Sequence, residues 1–372
     1  MRIGVVCYPT YGGSGVVATE LGIEMASLGH DVHFITYSKP VRLDLSLPRI
    51  HFHEVVVRDY PLFDYSPYEL MLTSTLTQVV KEQNLDILHV HYAIPHASAA
   101  FMTKQILRSQ GIQLPIVCTL HGTDITLLGK DASFEPVITF AINNSDAVTA
   151  VSASLKNDTL DTFQVTNPIQ VIPNFINLER YQVEANRAFK QQLCPNGERL
   201  IIHVSNFRKV KRVDDVIKVF ASIYEEVNAK LLLIGDGPER YNIELLCRSL
   251  GCFEDVHFYG KNSSIEPLLK MGDLFLLPSK TESFGLAALE AMAARVPVIS
   301  TNAGGLSEVN EHGVSGFLSN VGDVQDMAKH ATYILNSDER LDQFKKQAYE
   351  QATKFDIHRI LPSYITLYES LI

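Results

Sequence analysis

This sequence predicts an α/β protein of two doubly wound domains, and three observations predict it. Its 372 residues exceed what one ordinary core organises, which points to two domains of about 170 to 190 residues each. Short apolar runs alternate with amphipathic segments of helical period in both halves, the pattern of parallel strands covered by helices. Between 173 and 198, Pro173, Asn174, Pro195, Asn196 and Gly197 interrupt that periodicity around a short polar helical stretch.

In chain order, the apolar runs predict strands at 2–7, 31–37, 50–57, 85–91, 115–120, 147–151 and 170–172 in the first half. The second half offers 199–204, 230–234, 256–259, 274–277, 297–300 and 316–318. The domains are then 1–173 and 199–356, joined by a linker at 174–198, with an amphipathic helix at 357–372 closing the chain. No sequence repeat links the halves, although they repeat an architecture. In open parallel sheets, ligands meet the carboxyl ends of the strands, so the loops following these runs are where function is sought.

Composition narrows the classes. A hydrophobic content of 46% suits a soluble globular protein, no stretch of 18 or more residues reads as a membrane span, and the first residues run into a strand without a signal-peptide pattern, so the expected location is cytoplasmic. The five cysteines, Cys7, Cys118, Cys194, Cys247 and Cys252, are scattered and lack a second Cys/His pair for zinc, so they read as reduced thiols. A formal charge of −10 argues against nucleic acid. One bound nucleotide is compatible with it, because Arg208, Lys209, Lys211 and Arg212 concentrate positive charge just after a strand.

Three motifs carry chemistry. Glu282 and Glu290 lie eight residues apart around a small-residue turn, with a helix expected from about Phe284. Its first-turn N–H groups, Gly285 among them, would face an anion, and the two carboxylates would accept sugar hydroxyls on either side. Gly13-Ser-Gly15-Val-Val-Ala18 has the G-x-G-x-x-A form of a dinucleotide fingerprint, but Thr36-Tyr37-Ser38 stands where an acidic ribose ligand is required, which argues against a dehydrogenase. His121 ends an apolar run and is followed by Gly122, Thr123 and Asp124, the last read as a helix N-cap.

Six motifs in order resemble the retaining glycosyltransferases of family 4: Tyr11-Gly-Gly-Ser-Gly15, His121-Gly-Thr-Asp124, Val171-Ile-Pro-Asn174, Ser205-Asn-Phe-Arg-Lys-Val-Lys211, Gly235-Asp-Gly-Pro238 and the segment from Glu282 to Glu290. The resemblance covers essentially the whole chain. It implies a GT-B fold, two Rossmann-like domains facing a cleft, with the first binding acceptor, the second binding nucleotide-sugar, and the last helix returning to the first domain. Tyr11–Gly15, His89-Val-His-Tyr92 and Ser205–Arg212 together resemble the branch that moves N-acetylglucosamine from UDP-GlcNAc to L-malate at the start of bacillithiol biosynthesis.

That resemblance implies catalytic roles for His121, Arg208, Lys211 and Glu282. It assigns donor binding to Gly13, Asn206, Arg208, Lys211, Tyr259, Glu282, Phe284, Gly285, Leu286 and Glu290, with Glu290 on the ribose and the strand around Tyr259 against uracil. Ser14, Tyr92 and Thr119 are expected to bind the acceptor. The chain departs from the family's Gly-Arg-x-x-x-x-Lys pattern, since Ser205-Asn206 fills its first two places; Lys211 transfers directly and Arg208 only through the malate branch. No Asp-x-Asp pair is present, so no metal or other cofactor is expected. The expected partners are UDP-GlcNAc and L-malate, without nucleic acid or membrane insertion, and a homo-oligomer is compatible with the sequence. A family 4 transferase with another acceptor, a UDP-GlcNAc 2-epimerase and a non-catalytic nucleotide-sugar-binding protein are the alternatives.

Overall fold

The computed structural model describes residues 1–10, 12–57, 66–127, 129, 131–262 and 264–372, leaving out the side chains at 127 and 225. Tyr11, which opens the expected Gly-rich turn, lies outside the described residues. The chain forms two compact units, Met1–Asn174 with Ile357–Ile372, and Phe175–Asp356.

In the first unit, β1 (Arg2–Val6), β2 (Asp31–Thr36), β3 (Ile50–Glu54), β4 (Ile87–His91), β5 (Ile116–Leu120), β6 (Ala147–Ala150) and β7 (Ile169–Val171) form one sheet in the order β3-β2-β1-β4-β5-β6-β7. All pairings are parallel. β4 and β5 are buried at every position, as inner strands of a parallel sheet covered on both faces are. The strand expected at 50–57 stops at Glu54; it forms the sheet edge, and Val56 beyond it is exposed.

The second unit repeats the plan with β8 (Arg199–Ser205), β9 (Ala229–Gly235), β10 (Val256–Gly260), β11 (Leu274–Leu277), β12 (Val298–Thr301) and β13 (Gly316–Ser319), in the order β10-β9-β8-β11-β12-β13. Its helix Val213–Val227 places Val213, Val216, Ile217, Phe220, Ile223 and Val227 at helical spacing and buries that stripe against Leu231, Leu233 and Leu276. Asp214 and Asp215 in its first turn complement the positive end of the helix.

Two segments differ in character from the sequence expectation or extend it. Residues 175–198, read as a linker, group with the second unit and carry a 3-10 turn, Leu178–Tyr181, and a helix, Arg187–Leu193. Carboxylates of that unit hold them, because Arg180 pairs with Glu266 at 3.1 Å and Lys190 with Asp273 at 3.1 Å. The final helix, Ile357–Glu369, groups with the first unit and buries Ile357, Leu361, Tyr364 and Tyr368. Tyr368 and His89 of β4 share a 2.6 Å hydrogen bond. Among the described residues, no helix is long and apolar enough to cross a membrane.

Candidate active site

Both sheets have a point where strand order reverses, between β1 and β4 in the first and between β8 and β11 in the second. Loops diverge there at the carboxyl ends of the strands and leave a crevice for ligand. At each reversal, a side-chain hydrogen bond between residues singled out from the sequence spans the two loops.

In the first unit, the loop after β1 turns at Gly13, whose φ of 64° lies in the left-handed region, and enters the helix Ser14–Ser27. Gly15 permits close approach: a Cβ there would stand 2.4 Å from the Tyr8 carbonyl oxygen. The turn places Ser14 Oγ 2.7 Å from the hydroxyl of Tyr92, which follows β4. Thr123, in the loop after β5, also hydrogen-bonds Tyr92, so three strand-end loops bring hydroxyls together. Burial chiefly raises the Tyr92 pKa, which keeps its hydroxyl protonated at neutral pH.

His121 follows β5 and is half-buried, its Nε2 lying 2.8 Å from Nδ1 of the fully buried His91 at the end of β4. Burial, assisted by His96, pushes the His121 pKa down to about 3, and burial drives that of His91 well below the usual histidine range. Both imidazoles are therefore neutral at physiological pH.

The second reversal is spanned by charge. Lys211 Nζ bonds Glu282 Oε1, and Ser279 Oγ donates to the same oxygen at 2.9 Å. The loop after β8 also accepts a main-chain bond from Lys280 N to Val210 O, 2.8 Å long. Gly304 and Gly305, following β12, close over the Glu282 loop: Gly305 N donates to the Glu282 carbonyl at 2.9 Å. Arg208 is exposed and, among the described residues, has no ion-pair partner, whereas Arg212 is held by Asp215 at 2.5 Å. Asn206 is exposed beside Arg208.

The helix expected from Phe284 begins at Leu286, with Gly285 as its left-handed cap at φ 100°. Phe284 is instead core, its ring packed edge-on to Phe355, so only its main chain is offered to a ligand. Ala288 N and Leu289 N bond the Gly285 carbonyl, which leaves the N–H groups of Leu286 and Ala287 at the helix entrance without an intrahelical acceptor. Glu290 lies just over one turn inside the helix and is half-buried. Tyr259 is the penultimate residue of the edge strand β10, partly exposed beside Phe189 and bonded by Asn262.

Two sequence expectations are corrected. Thr119 is fully buried within the sheet, its hydroxyl held by His89 at 2.7 Å and Thr149 at 2.6 Å, so it is not presented beside Ser14 and Tyr92. Asp124 is not an N-cap: it sits inside the turn Thr123–Leu127, fully buried, and accepts the backbone N–H groups of Ala93 at 2.9 Å and Gly122 at 3.1 Å. It ties the loop carrying Tyr92 to the loop carrying His121. The sequence left out Thr123, Ser279 and Gly304 as site residues; Thr123 lies inside a motif and Ser279 three residues before one, while Gly304 is joined to its motif only by the fold. Among the described residues, no group of three or more His, Cys, Asp or Glu is arranged to hold a metal ion.

Two parallel doubly wound sheets, each with polar side chains gathered at its strand reversal, are the architecture of GT-B glycosyltransferases. Residues 11–180 match the model of Glycosyltransferase Family 4, and residues 184–351 match that of Glycosyl transferases group 1. The chain belongs to the family 4 glycosyltransferases. It is 47% identical to the N-acetyl-alpha-D-glucosaminyl L-malate synthase of Bacillus anthracis over 370 residues, 99% of this chain and 96% of that protein. It is 24% identical to the 2-deoxystreptamine N-acetyl-D-glucosaminyltransferase of Niallia circulans, over 78% of this chain and 77% of that one. In fold it resembles Anabaena Alr3699/HepE in complex with UDP and glucose, with a TM-score of 0.84 and 20% identity over the full length of both chains.

Proposed function

We propose that this enzyme transfers N-acetylglucosamine from UDP-GlcNAc to the hydroxyl of L-malate with retention of configuration, the opening step of bacillithiol biosynthesis, in the cytoplasm. The 47% identity over nearly the whole length of the malate synthase carries this reading. The donor is assigned to the second unit: Glu290 accepts the ribose hydroxyls, Glu282 the sugar hydroxyls, and Lys211, Arg208 and the helix entrance at Gly285 and Leu286 face the diphosphate. Asn206 and Tyr259 complete the donor wall. The acceptor is assigned to Ser14 and Tyr92.

In this mechanism the malate hydroxyl oxygen attacks the anomeric carbon from the face that UDP leaves. The bond between that carbon and the β-phosphate oxygen breaks, the departing oxygen takes the hydroxyl proton, and GlcNAc-malate and UDP result. The protein positions the reactants and offsets charge on the leaving group, with His121 beside the developing positive charge. Lysine, arginine and a helix N-terminus take the role that a divalent cation fills elsewhere.

Release of UDP from UDP-GlcNAc, assayed over a panel of small acceptors, tests this. L-Malate is expected to stimulate release and to yield an α-linked product, with EDTA leaving the rate unchanged. An inert malate beside an active lipid, inositol phosphate or glucan acceptor would overturn the acceptor, a β-linked product the mechanism, and a rate lost in EDTA and restored by Mg²⁺ the metal-free step.

A further inference from the structure

Four histidines crowd the carboxyl ends of β4 and β5. His89 packs its ring 4.4 Å from that of His91, His91 lies 5.1 Å from His121, and His96 Nδ1 bonds the His91 main-chain carbonyl. A carbonyl only accepts, so His96 carries its proton on Nδ1. His89 lies with its two nitrogens between the hydroxyls of Tyr368 and Thr119, which donate or accept as required. In the pair of His91 and His121 either ring could donate, and Nε2 of His91, like that of His96, is buried and has no partner among the described residues.

That vacancy decides the direction of the bond between them. A neutral imidazole has one N–H and one lone pair. If His121 Nε2–H donated to His91 Nδ1, the single proton of His91 would sit on Nε2, a buried donor without an acceptor. If His91 Nδ1–H donates to His121 Nε2, what remains at His91 Nε2 is an unfilled lone pair. Buried donors left without acceptors are the rarer and costlier defect. We infer that His91 is a positioning residue that fixes His121 in its Nδ1–H tautomer, so that His121 presents a hydrogen-bond donor and no basic nitrogen. This rests on the proposal that His121 stands at the reaction centre. It fits a same-face transfer in which the proton passes to the leaving phosphate and no side chain acts as base.

The test is direct observation of the tautomer by long-range ¹H–¹⁵N correlation in the full-length protein labelled at histidine, with coupling across the hydrogen bond assigning His91 Nδ1 and His121 Nε2. The expected result is a protonated Nδ1 on both rings; a protonated His121 Nε2 overturns the inference without any variant having to fold. Kinetics supply a second measure. His91→Phe keeps a stacked ring but removes the donor, and is expected to lower kcat about tenfold or more, with donor KM changed less than about twofold. His91→Asn, whose amide N–H stands near the Nδ1 position, is expected to recover most of that loss, and an unaltered kcat in a folded His91→Phe overturns the assignment. His121→Ala separates the two ideas: normal turnover there defeats the role of His121, whereas slow turnover with a protonated Nε2 in the wild type defeats only the role of His91.

Discussion

Lys211 and Glu282 hold one another across the second strand reversal, with Ser279 donating to the same carboxylate oxygen. In the proposed mechanism, lysine there places a positive charge where the β-phosphate gains negative charge as the glycosidic bond breaks. Lys211→Ala is therefore expected to depress kcat by about 10²-fold, by analogy with the loss of one preorganised electrostatic donor, while acceptor KM moves little. Steady-state kinetics on the folded variant checks this, and a loss confined to acceptor KM would contradict it. Asp124 offers a pH test. Burial outweighs the N–H bonds it accepts and raises its pKa from 3.8 to about 6. The folded state thus holds this proton more tightly than the unfolded chain, so the contribution of Asp124 to stability is full below about pH 4 and is lost as pH rises through about 6. At 1.36 kcal/mol per unit the change is about 3 kcal/mol. Against Asp124→Asn, which stays neutral, the wild type is expected to lose relative stability between pH 4 and pH 7 in urea unfolding; a gap that stays constant or widens refutes the raised pKa.

The loops at the second reversal are set by backbone packing. Gly304 adopts φ +57°, and a Cβ there would fall 2.0 Å from the Glu282 carbonyl oxygen, so Gly304→Ala must push the Glu282 loop away. A displacement of that kind is expected to cut kcat/KM for the donor by about 10²-fold while the far-ultraviolet circular dichroism is kept; unchanged kinetics would show that the loop tolerates the shift. This dependence was not legible in the sequence, whereas the strands were. The apolar runs at 31–37 and 274–277 announce buried parallel strands, and the helix after Gly285 is announced by small apolar residues. What periodicity does not carry is which loop touches which. The resemblance groups Thr119 with Ser14 and Tyr92, but its hydroxyl is taken by His89 and Thr149 of its own sheet. Asp124 has the sequence position of a cap, and only the fold brings the N–H of Ala93, 31 residues away, to its carboxylate. Contacts of this kind join residues from separate loops and leave no mark in local periodicity.

At the scale of the molecule, the two units differ in how the chain builds them. Phe175–Asp356 is one continuous segment with its own sheet and core, while the first unit needs Ile357–Ile372 from the far end of the chain. The side chains of Ile357, Leu361, Tyr364 and Tyr368 are buried there, and the Tyr368 hydroxyl meets Nδ1 of His89. At about 1.5–3 kcal/mol for each large apolar side chain, losing the four costs about 6–12 kcal/mol. That is comparable with the whole net stability of a domain, about 5–15 kcal/mol. His89 would in addition lose the partner of one buried nitrogen. A fragment of residues 175–356 expressed alone is therefore expected to unfold in one cooperative transition and to bind UDP, since its assigned ribose, phosphate and base contacts lie within it. A fragment of residues 1–174 is expected to remain unfolded or aggregate, and to fold only when residues 357–372 are fused to it through a flexible linker. Thermal unfolding followed by circular dichroism distinguishes these outcomes. A well-folded 1–174 would show that the sheet completes its core without the final helix, and a 175–356 fragment that folds but ignores UDP would move part of the donor site to the first unit.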